Sequence, residues 1–286
     1  MWHEWSFVES PQVTDSATSS NTAPAAAFFD LDKTIIAKSS ALAFGRPLYQ
    51  AGFLNRRSLL KAGIAQISYM AFGADHAQME RAREEMLEMT KGWDKVAVEE
   101  LVREIVDEVV SPLVYAEALA LIDEHRRVGR QVVIISSSPE EIVKPLARYL
   151  GVDHVIATRA KIDPQGRYTG EMEFYAYAES KADAIRDLAK TAGLSLPDSF
   201  AYSDSVTDLP MLEAVGHPVV VNPDKELAQA AEERDWQTMD FERPVTIRTR
   251  LATLPRPVPL VSGAALAGAV GGAVVLWLLR ARQKLS

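Results

Sequence analysis

Cysteine is absent from the 286-residue sequence. Disulfide bonds, thiolate metal ligands and cysteine nucleophiles are therefore excluded. The lack of disulfides is compatible with a cytosolic protein. The first ten residues include Glu4 and Glu9 and contain no continuous apolar run, so we do not expect a cleaved secretory signal.

Acidic residues are absent from Arg243 onward, where every charged side chain is basic. The whole chain nevertheless has a formal net charge of −8, so the part before this basic tail is strongly acidic. This charge balance argues against nucleic acid as the main partner, and we expect no nucleic-acid function.

Three motif classes are also missing. The five histidines show no paired spacing of the kind that binds zinc. No G-x-x-x-x-G-K loop followed by serine or threonine is present to hold a nucleotide, and no G-x-S-x-G segment indicates a serine hydrolase. Zinc chemistry, P-loop nucleotide binding and serine-hydrolase chemistry are therefore not indicated.

The N-terminal part of the chain divides into a leader, one strand and a helical segment. Small polar residues and proline dominate residues 9–25, and we predict a mostly disordered leader over 1–24. An apolar run over about 26–31 predicts a buried strand. Residues 39–111 show helical spacing with glycine stops, which predicts an inserted bundle of about four helices. These helices are expected near 40–50, 56–72, 75–91 and 94–110.

Strands and helices alternate from Ser111 onward, which predicts an α/β fold with a doubly wound parallel sheet. A hairpin is expected where Ile162 and Tyr168 flank a turn, and Ser138 is the predicted N-cap of the helix that follows the second strand. The further strands are expected over 131–135, 154–158, 200–202 and 218–221. We assign a catalytic core to 25–38 and 112–240 and a helical cap to 39–111.

The segment from Leu260 to Leu279 contains 20 residues without one charge. At ~1.5 Å per residue, such a helix spans about 30 Å, the thickness of the hydrocarbon core of a bilayer. Because the segment is apolar all round, a transmembrane helix over 260–279 is favoured over a helix packed on the domain. A basic linker over 241–259 precedes it. Gly268 and Gly272 would permit close helix pairing, so a homodimer stays an open alternative.

Polar residues gather at what should be one edge of the predicted sheet, because each group follows a strand or begins a helix. These residues are Asp30, Asp32 and Thr34, then Ser136, then Lys181, and finally Asp204 and Asp208. Open α/β sheets bind ligands at the carboxyl ends of their strands. Converging carboxylates without histidine predict a hard-cation site, most simply for Mg²⁺. With a lysine and a hydroxyl nearby, such a site suits phosphoryl transfer through an aspartate nucleophile.

These residues resemble the four motifs of the haloacid dehalogenase superfamily of phosphatases. The resemblance is carried by the segment from Asp30 to Thr34, by Ser136, by Lys181 and by the segment from Ser203 to Leu212. The helical insertion after the first motif is similar to the cap of subfamily IB, whose best-known members are phosphoserine phosphatases. Over about 26–240, and in its tail, the chain is similar to phosphoserine-phosphatase-like proteins of actinobacteria.

The resemblance implies separate roles for the residues of the first motif. Asp30 would attack phosphorus and would also bind Mg²⁺. Asp32 would protonate the leaving oxygen and then deprotonate the attacking water, and its backbone carbonyl would bind the metal. Thr34 would steady the loop that carries both aspartates.

The resemblance likewise implies roles for the later motifs. Ser136 would hydrogen-bond the phosphoryl group with help from the backbone of Ser137. Lys181 would neutralise developing charge and would orient the nucleophile. Asp204 would bind Mg²⁺ directly, and Asp208 would support the site either as a ligand or by holding the ligands in place.

One position departs from the phosphoserine phosphatase pattern. Those enzymes usually carry a glutamate nine residues after the nucleophile, where it binds the amino group of the substrate, and this chain has Ser39 there. A serine supplies no negative charge for an ammonium group. We therefore expect a Mg²⁺-dependent phosphomonoester phosphatase that acts through an aspartyl-phosphate on a small phosphorylated substrate whose identity is open.

Two alternatives stay open, one for the substrate and one for the group that accepts the phosphoryl group. The enzyme could act on a membrane lipid-linked phosphate, which the predicted anchor would bring close, or it could transfer the phosphoryl group to an alcohol acceptor. The expected location is the cell membrane, with a single C-terminal span and the catalytic domain in the cytoplasm.

Overall fold

The structure is a computed structural model, and it describes residues 23–54, 76–152 and 154–242. The predicted transmembrane helix over 260–279 and the helix predicted near 56–72 lie outside these residues, as do nearly all of the leader and the linker. Within the described ranges, no helix is long and apolar enough to cross a membrane.

Seven strands in the described part of the chain form one sheet in the order β4-β3-β2-β1-β5-β6-β7. All neighbouring strands are parallel except β3 and β4, which form an antiparallel hairpin that pairs Ile162 with Tyr168. The strands are β1 (Ala26–Phe29), β2 (Gln131–Pro139), β3 (His154–Ile162), β4 (Tyr168–Phe174), β5 (Phe200–Ser203), β6 (His217–Val221) and β7 (Gln237–Met239). The predicted α/β class with a mainly parallel sheet is therefore confirmed.

Eight α-helices occur in the described residues. They are α1 (Ser40–Gln50), α2 (His76–Thr90), α3 (Lys95–Val110), α4 (Ala116–Arg127), α5 (Glu140–Tyr149), α6 (Glu179–Ala192), α7 (Leu209–Glu213) and α8 (Lys225–Glu233). The first three fall within the inserted segment 39–111. The division of the chain into a core and a cap stays a prediction.

Helix α3 illustrates how the apolar spacing works. Val98, Val102, Val106 and Val110 recur every four positions and are buried, because residues four apart share one face of a helix. The Asp94 carboxylate accepts a hydrogen bond from an amide of the first turn and so caps the helix. The buried face of α3 packs against α5.

Strand β1 is fully buried, and its successive side chains enter two different apolar clusters. Ala27 and Phe29 belong to one cluster, and Ala26 and Phe28 belong to the other. Because neighbouring side chains of a strand point to opposite faces, both faces of the sheet are covered. All four side chains of β1 are therefore used for packing, and the first polar residue of this stretch, Asp30, lies directly after the carboxyl end of the strand.

The turn between α2 and α3 is hydrogen-bonded to the β3–β4 hairpin. The amide of Gly92 donates to the carbonyl of Tyr168 at 2.8 Å, and the amide of Tyr168 donates to the carbonyl of Trp93 at 3.0 Å. Close by, Nζ of Lys95 donates to Oε1 of Glu140 on α5 at 2.7 Å. These contacts attach the second half of the inserted segment to the sheet.

His125 on α4 lies inside the core. Its Nε2 is 2.7 Å from the hydroxyl oxygen of Tyr202, and its ring meets that of Phe29 edge-on at 5.9 Å. Only 3% of the residue is exposed. Burial, together with the nearby charge of Arg130, lowers the pKa of His125 to about 4.

We expect the free energy of unfolding to fall as the pH decreases from about 6.5 to about 4. In this range His125 binds a proton in the unfolded chain but not in the folded one. The contribution is on the order of 2 kcal/mol, present above the unfolded pKa and lost on acidification. His125→Gln should therefore flatten the pH dependence, measured by urea denaturation between about pH 7 and about pH 4.5. The exposed His154→Gln is the control. Parallel curves for the wild type and His125→Gln would contradict this account.

Candidate active site

Lys181 lies at the centre of the buried charges at the carboxyl edge of the sheet. Its Nζ donates to Oδ1 of Asp30 at 2.7 Å and to Oδ2 of Asp208 at 2.8 Å. The exposed fractions are 2% for Lys181, 6% for Asp30 and 3% for Asp208. Asp30 directly follows β1, and Lys181 lies in the first turn of α6. The ammonium group of Lys181 therefore joins Asp30 of the first motif to Asp208 of the last one.

Asp208 is held from a second direction by Ser203. The Ser203 hydroxyl donates to Oδ2 of Asp208 at 2.7 Å, the same oxygen that accepts from Lys181. Ser203 is the last residue of β5, and Asp208 ends the short 3₁₀ turn that follows. These contacts make Asp208 a support that holds Lys181 towards Asp30.

Asp32 has a different set of partners. Its Oδ1 accepts from the amide of Ser40 at 2.9 Å. Its Oδ2 lies 3.2 Å from the hydroxyl oxygen of Ser40 and 3.3 Å from that of Ser138 and can accept from either. The two aspartates of the first motif therefore face different chemistry, an ammonium group for Asp30 and neutral donors for Asp32.

Asp204 follows β5 and is 6% exposed. Its Oδ2 lies 3.7 Å from Nζ of Lys33, whose side chain is 59% exposed. Lys33 has a φ of 62°, a left-handed conformation that is uncommon for residues with a Cβ atom. Asp224 holds this loop in place, since its amide donates to the Asp204 carbonyl at 2.8 Å and its carboxylate accepts from the Val206 amide at 2.9 Å.

The other predicted residues differ in their exposure. Ser136 is buried at the end region of β2, and its Oγ accepts from the amide of Ser138 at 3.1 Å. Its neighbour Ser137 is exposed. Thr34 is fully buried, and its Oγ1 has no hydrogen-bond partner in the described residues. The structure therefore shows no hydrogen bond there by which the hydroxyl of Thr34 could steady the loop.

Sequence reasoning misses Ser40 and Ser138 as partners of Asp32. Ser138 is predicted as an N-cap, but α5 begins later and its N-cap is Pro139, which makes no side-chain cap bond. The hydroxyl of Ser138 instead lies within reach of a carboxylate, which is a strong acceptor. Ser40 carries no motif signal. Asp224 could have been found from its helix-capping position.

Burial raises the pKa values of Asp30, Asp32 and Asp204. It raises that of Asp204 to about 7, and the ammonium of Lys33 opposes the shift only in part. At Asp30 the charge of Lys181 likewise opposes the effect of burial without cancelling it. The site therefore holds more carboxylates than its ammonium groups balance, which favours a bound cation.

The donor set at this edge fits a hard divalent cation. The carboxylates of Asp30 and Asp204 and the backbone carbonyl of Asp32 would hold Mg²⁺, with water and phosphate oxygens completing the set. In residues 23–54, 76–152 and 154–242, no three histidine, aspartate or glutamate side chains are grouped to hold a metal by themselves.

Replacing Lys181 by methionine should lower the free energy of unfolding by about 3 kcal/mol, because the carboxylates of Asp30 and Asp208 would lose their shared buried partner. Chemical denaturation in the presence of a chelator measures this loss without interference from metal. Lys190→Met on the exposed face of the same helix is the matched control and should change stability by less than about 0.5 kcal/mol. Equal stabilities of the two variants would refute the buried ion pairs.

Comparison with known proteins places this geometry in a family. Residues 27–213 match the model of the haloacid dehalogenase-like hydrolases. A Mycobacterium tuberculosis protein named as a probable phosphatase is 50% identical over 276 residues, which are 93% of this chain and 94% of that protein. A phosphoserine phosphatase of the same species is 34% identical over 264 residues, covering 91% of this chain and 82% of the relative.

Solved structures share the fold. A Bordetella pertussis protein of unknown function is 29% identical with a TM-score of 0.67, covering 77% of this chain and 99% of its own. A phospho-aspartyl intermediate analogue of phosphoserine phosphatase is 18% identical with a TM-score of 0.56, covering 81% and 99%. The family match extends from β1 to α7 and so includes every residue predicted for the site. The chain therefore belongs to the haloacid dehalogenase-like hydrolases, as its motifs predict.

Proposed function

We propose that this hydrolase is a Mg²⁺-dependent phosphatase of phosphomonoesters that forms an aspartyl-phosphate on Asp30. The observation that carries the proposal is the buried ammonium of Lys181, shared between Asp30 and Asp208 at the carboxyl edge of the sheet. It presents a nucleophilic carboxylate beside a positive charge that a phosphoryl group requires. The relatives named as phosphatases support the same reaction.

The reaction takes two steps that use the aspartates of the first motif in turn. An oxygen of Asp30 bonds to phosphorus as the bond to the leaving oxygen breaks, and Asp32 donates its proton to that oxygen, so that an alcohol departs. Asp32 then takes a proton from water as the water oxygen bonds to phosphorus and the bond to Asp30 breaks. Inorganic phosphate is released, and both carboxyl groups return to their starting state.

The surroundings of the two aspartates suit these roles. At Asp30 the ammonium of Lys181 opposes the rise in pKa that burial causes, and Mg²⁺ held there would oppose it further, so both favour the ionised and nucleophilic form. Asp32 contacts hydroxyls and an amide, and burial raises its pKa, which suits a group that carries a proton. Mg²⁺, when bound at Asp30 and Asp204, supplies positive charge to the phosphoryl oxygens. Ser136 would add a hydrogen bond to those oxygens.

Asp30→Asn should abolish the hydrolysis of p-nitrophenyl phosphate by the full-length chain, and EDTA should do the same to the wild type until Mg²⁺ is added back. The amide lacks the nucleophilic charge, and the chelator removes the cation that balances the carboxylates. Phosphate release measures both effects. Asp187→Asn, an exposed aspartate on α6, is the control and should keep wild-type activity.

Phosphate release by Asp30→Asn would rule out Asp30 as the nucleophile. When the wild type is rapidly quenched with a phosphomonoester that carries a radiolabelled phosphoryl group, label should remain on the protein. Hydroxylamine, which cleaves acyl phosphates, should release it. A product formed only when an alcohol is added, in place of free phosphate, would favour the phosphotransferase alternative.

The substrate class follows from the start of the inserted segment. We propose that the helices of 39–111 cap the site and admit a small phosphorylated substrate. Ser39, the N-cap of α1, is partly buried and makes no side-chain cap bond. One relative is named a phosphoserine phosphatase, which supports phosphoserine, but Ser39 offers an ammonium group no charge. The enzyme should therefore also accept phosphomonoesters that lack an amino group.

A second candidate substrate is a lipid-linked phosphate, and the uncharged segment 260–279 favours it. A C-terminal membrane anchor with the catalytic domain in the cytoplasm would raise the local concentration of such a substrate. Arg248, Arg250 and Arg256 would lie against anionic headgroups.

Membranes washed with alkaline carbonate should retain the full-length chain and should lose a chain that ends at Thr253. The apolar segment is buried in the hydrocarbon core only in the first case. Immunoblotting of the pellet and supernatant measures the partition. Recovery of the full-length chain in the wash would refute the anchor.

A phosphate-release assay with phosphoserine and a lysophospholipid phosphate, with and without detergent, then separates the two substrate classes.

A further inference from the structure

The carboxylate of Asp32 ends a small network of buried hydroxyl groups. The hydroxyl oxygens of Ser40 and Ser138 lie 2.6 Å apart, and both lie within hydrogen-bond distance of Oδ2 of Asp32. Ser40 is fully buried and Ser138 is 6% exposed. Because each hydroxyl carries one proton, the two serines form a short chain of donors that ends on the carboxylate.

The amide of Ser40 adds a bond of another kind. Ser40 is the first residue of α1, and its amide donates to Oδ1 of Asp32 at 2.9 Å. The formal N-cap of this helix, Ser39, makes no side-chain cap bond. The Asp32 carboxylate, eight residues earlier in the chain, therefore accepts from a free amide at the start of α1, as an N-cap side chain would. The helix end holds one oxygen and the hydroxyls hold the other.

Ser138 connects this network to the predicted phosphate-binding residue. Its amide donates to Oγ of Ser136 at 3.1 Å, while its hydroxyl faces Asp32 and Ser40. Ser138 thus contacts the carboxylate of Asp32, the first residue of α1 and the hydroxyl that would bind the phosphoryl group. Neither Ser40 nor Ser138 contributes to the motif signals.

We propose that Ser40 and Ser138 are positioning residues that orient the Asp32 carboxyl group for proton transfer to and from the reacting oxygens. The proposal rests on the phosphatase function and on Asp32 as its acid and base. When one of the two hydroxyls is removed, the hydrogen bond from the Ser40 amide to Oδ1 remains, but the chain of donors to Oδ2 is broken and the carboxyl group gains rotational freedom. The nucleophile is unaffected, because Asp30 keeps its contact with Lys181.

The test compares two leaving groups with the full-length chain. An alkyl phosphate such as glycerol 2-phosphate needs a proton on its leaving oxygen, whereas p-nitrophenolate departs without one. Ser40→Ala and Ser138→Ala should each lower kcat/KM for the alkyl phosphate by about 10- to 100-fold, part of the full effect of general acid catalysis. For p-nitrophenyl phosphate, kcat/KM should stay within about threefold of the wild type, because it reports the step before water attacks.

Two further variants separate positioning from a purely structural role. Ser138→Thr keeps a hydroxyl and should restore activity towards the alkyl phosphate. Ser199→Ala removes another fully buried serine hydroxyl, one that bonds the backbone at Ala26 and Ser195, and should leave the ratio of the two kcat/KM values unchanged. Thermal melting curves show which variants are folded.

Three results would overturn the inference. These are equal losses on both substrates, a ratio in Ser199→Ala that matches Ser138→Ala, and a folded Ser138→Thr without rescue. A wild-type enzyme that hydrolyses neither phosphate, with Mg²⁺ present, refutes the proposed function itself and is recognised before any variant is compared.

Discussion

The two buried hydrogen bonds of Lys181 are the interaction on which the rest of the site depends. Removing an ammonium group and two carboxylates from water is costly, and the cost is offset only where the geometry and the further hydrogen bonds are good. Asp30 and Asp208 meet this condition at 2.7 and 2.8 Å, and Ser203 completes the set. The ends of β1 and β5 and the first turn of α6 are thereby held together. The carboxylate of Asp30, the proposed nucleophile, is held in place as a result.

The strand order explains why these pieces meet. Strand β1 lies at the centre of the sheet with β2 on one side and β5 on the other, so the order reverses at β1. Ligand sites of open α/β sheets lie in the crevice that such a reversal opens at the carboxyl ends. Asp30 and Asp204 directly follow β1 and β5, and Ser136 lies among the last four residues of β2. Residues separated by more than a hundred positions therefore share one edge of the sheet.

The sequence allows prediction of what depends on local pattern. Apolar runs indicate β1, β2 and the hairpin, and helical spacing indicates α3, because burial imposes these periods. Strand β7 has only three residues, two of them polar, so it carries no pattern. Ser138 fits a cap by local rules, yet its hydroxyl faces a carboxylate 106 positions away. Such contacts depend on the assembled tertiary structure, and the local sequence contains no trace of them.

The same contacts connect the chemistry to the inserted segment. Helix α1 begins where its first amide meets Asp32, and the turn before α3 is bonded to the hairpin through Gly92 and Trp93. These contacts tie the described parts of the segment to the sheet, and one of them is made by Asp32, the proposed proton carrier. A change at the start of α1 that alters which substrate is admitted would also alter how Asp32 is held. Substitutions at Ser39 and at Ser40 should therefore differ in kind, since only the second residue touches the carboxylate.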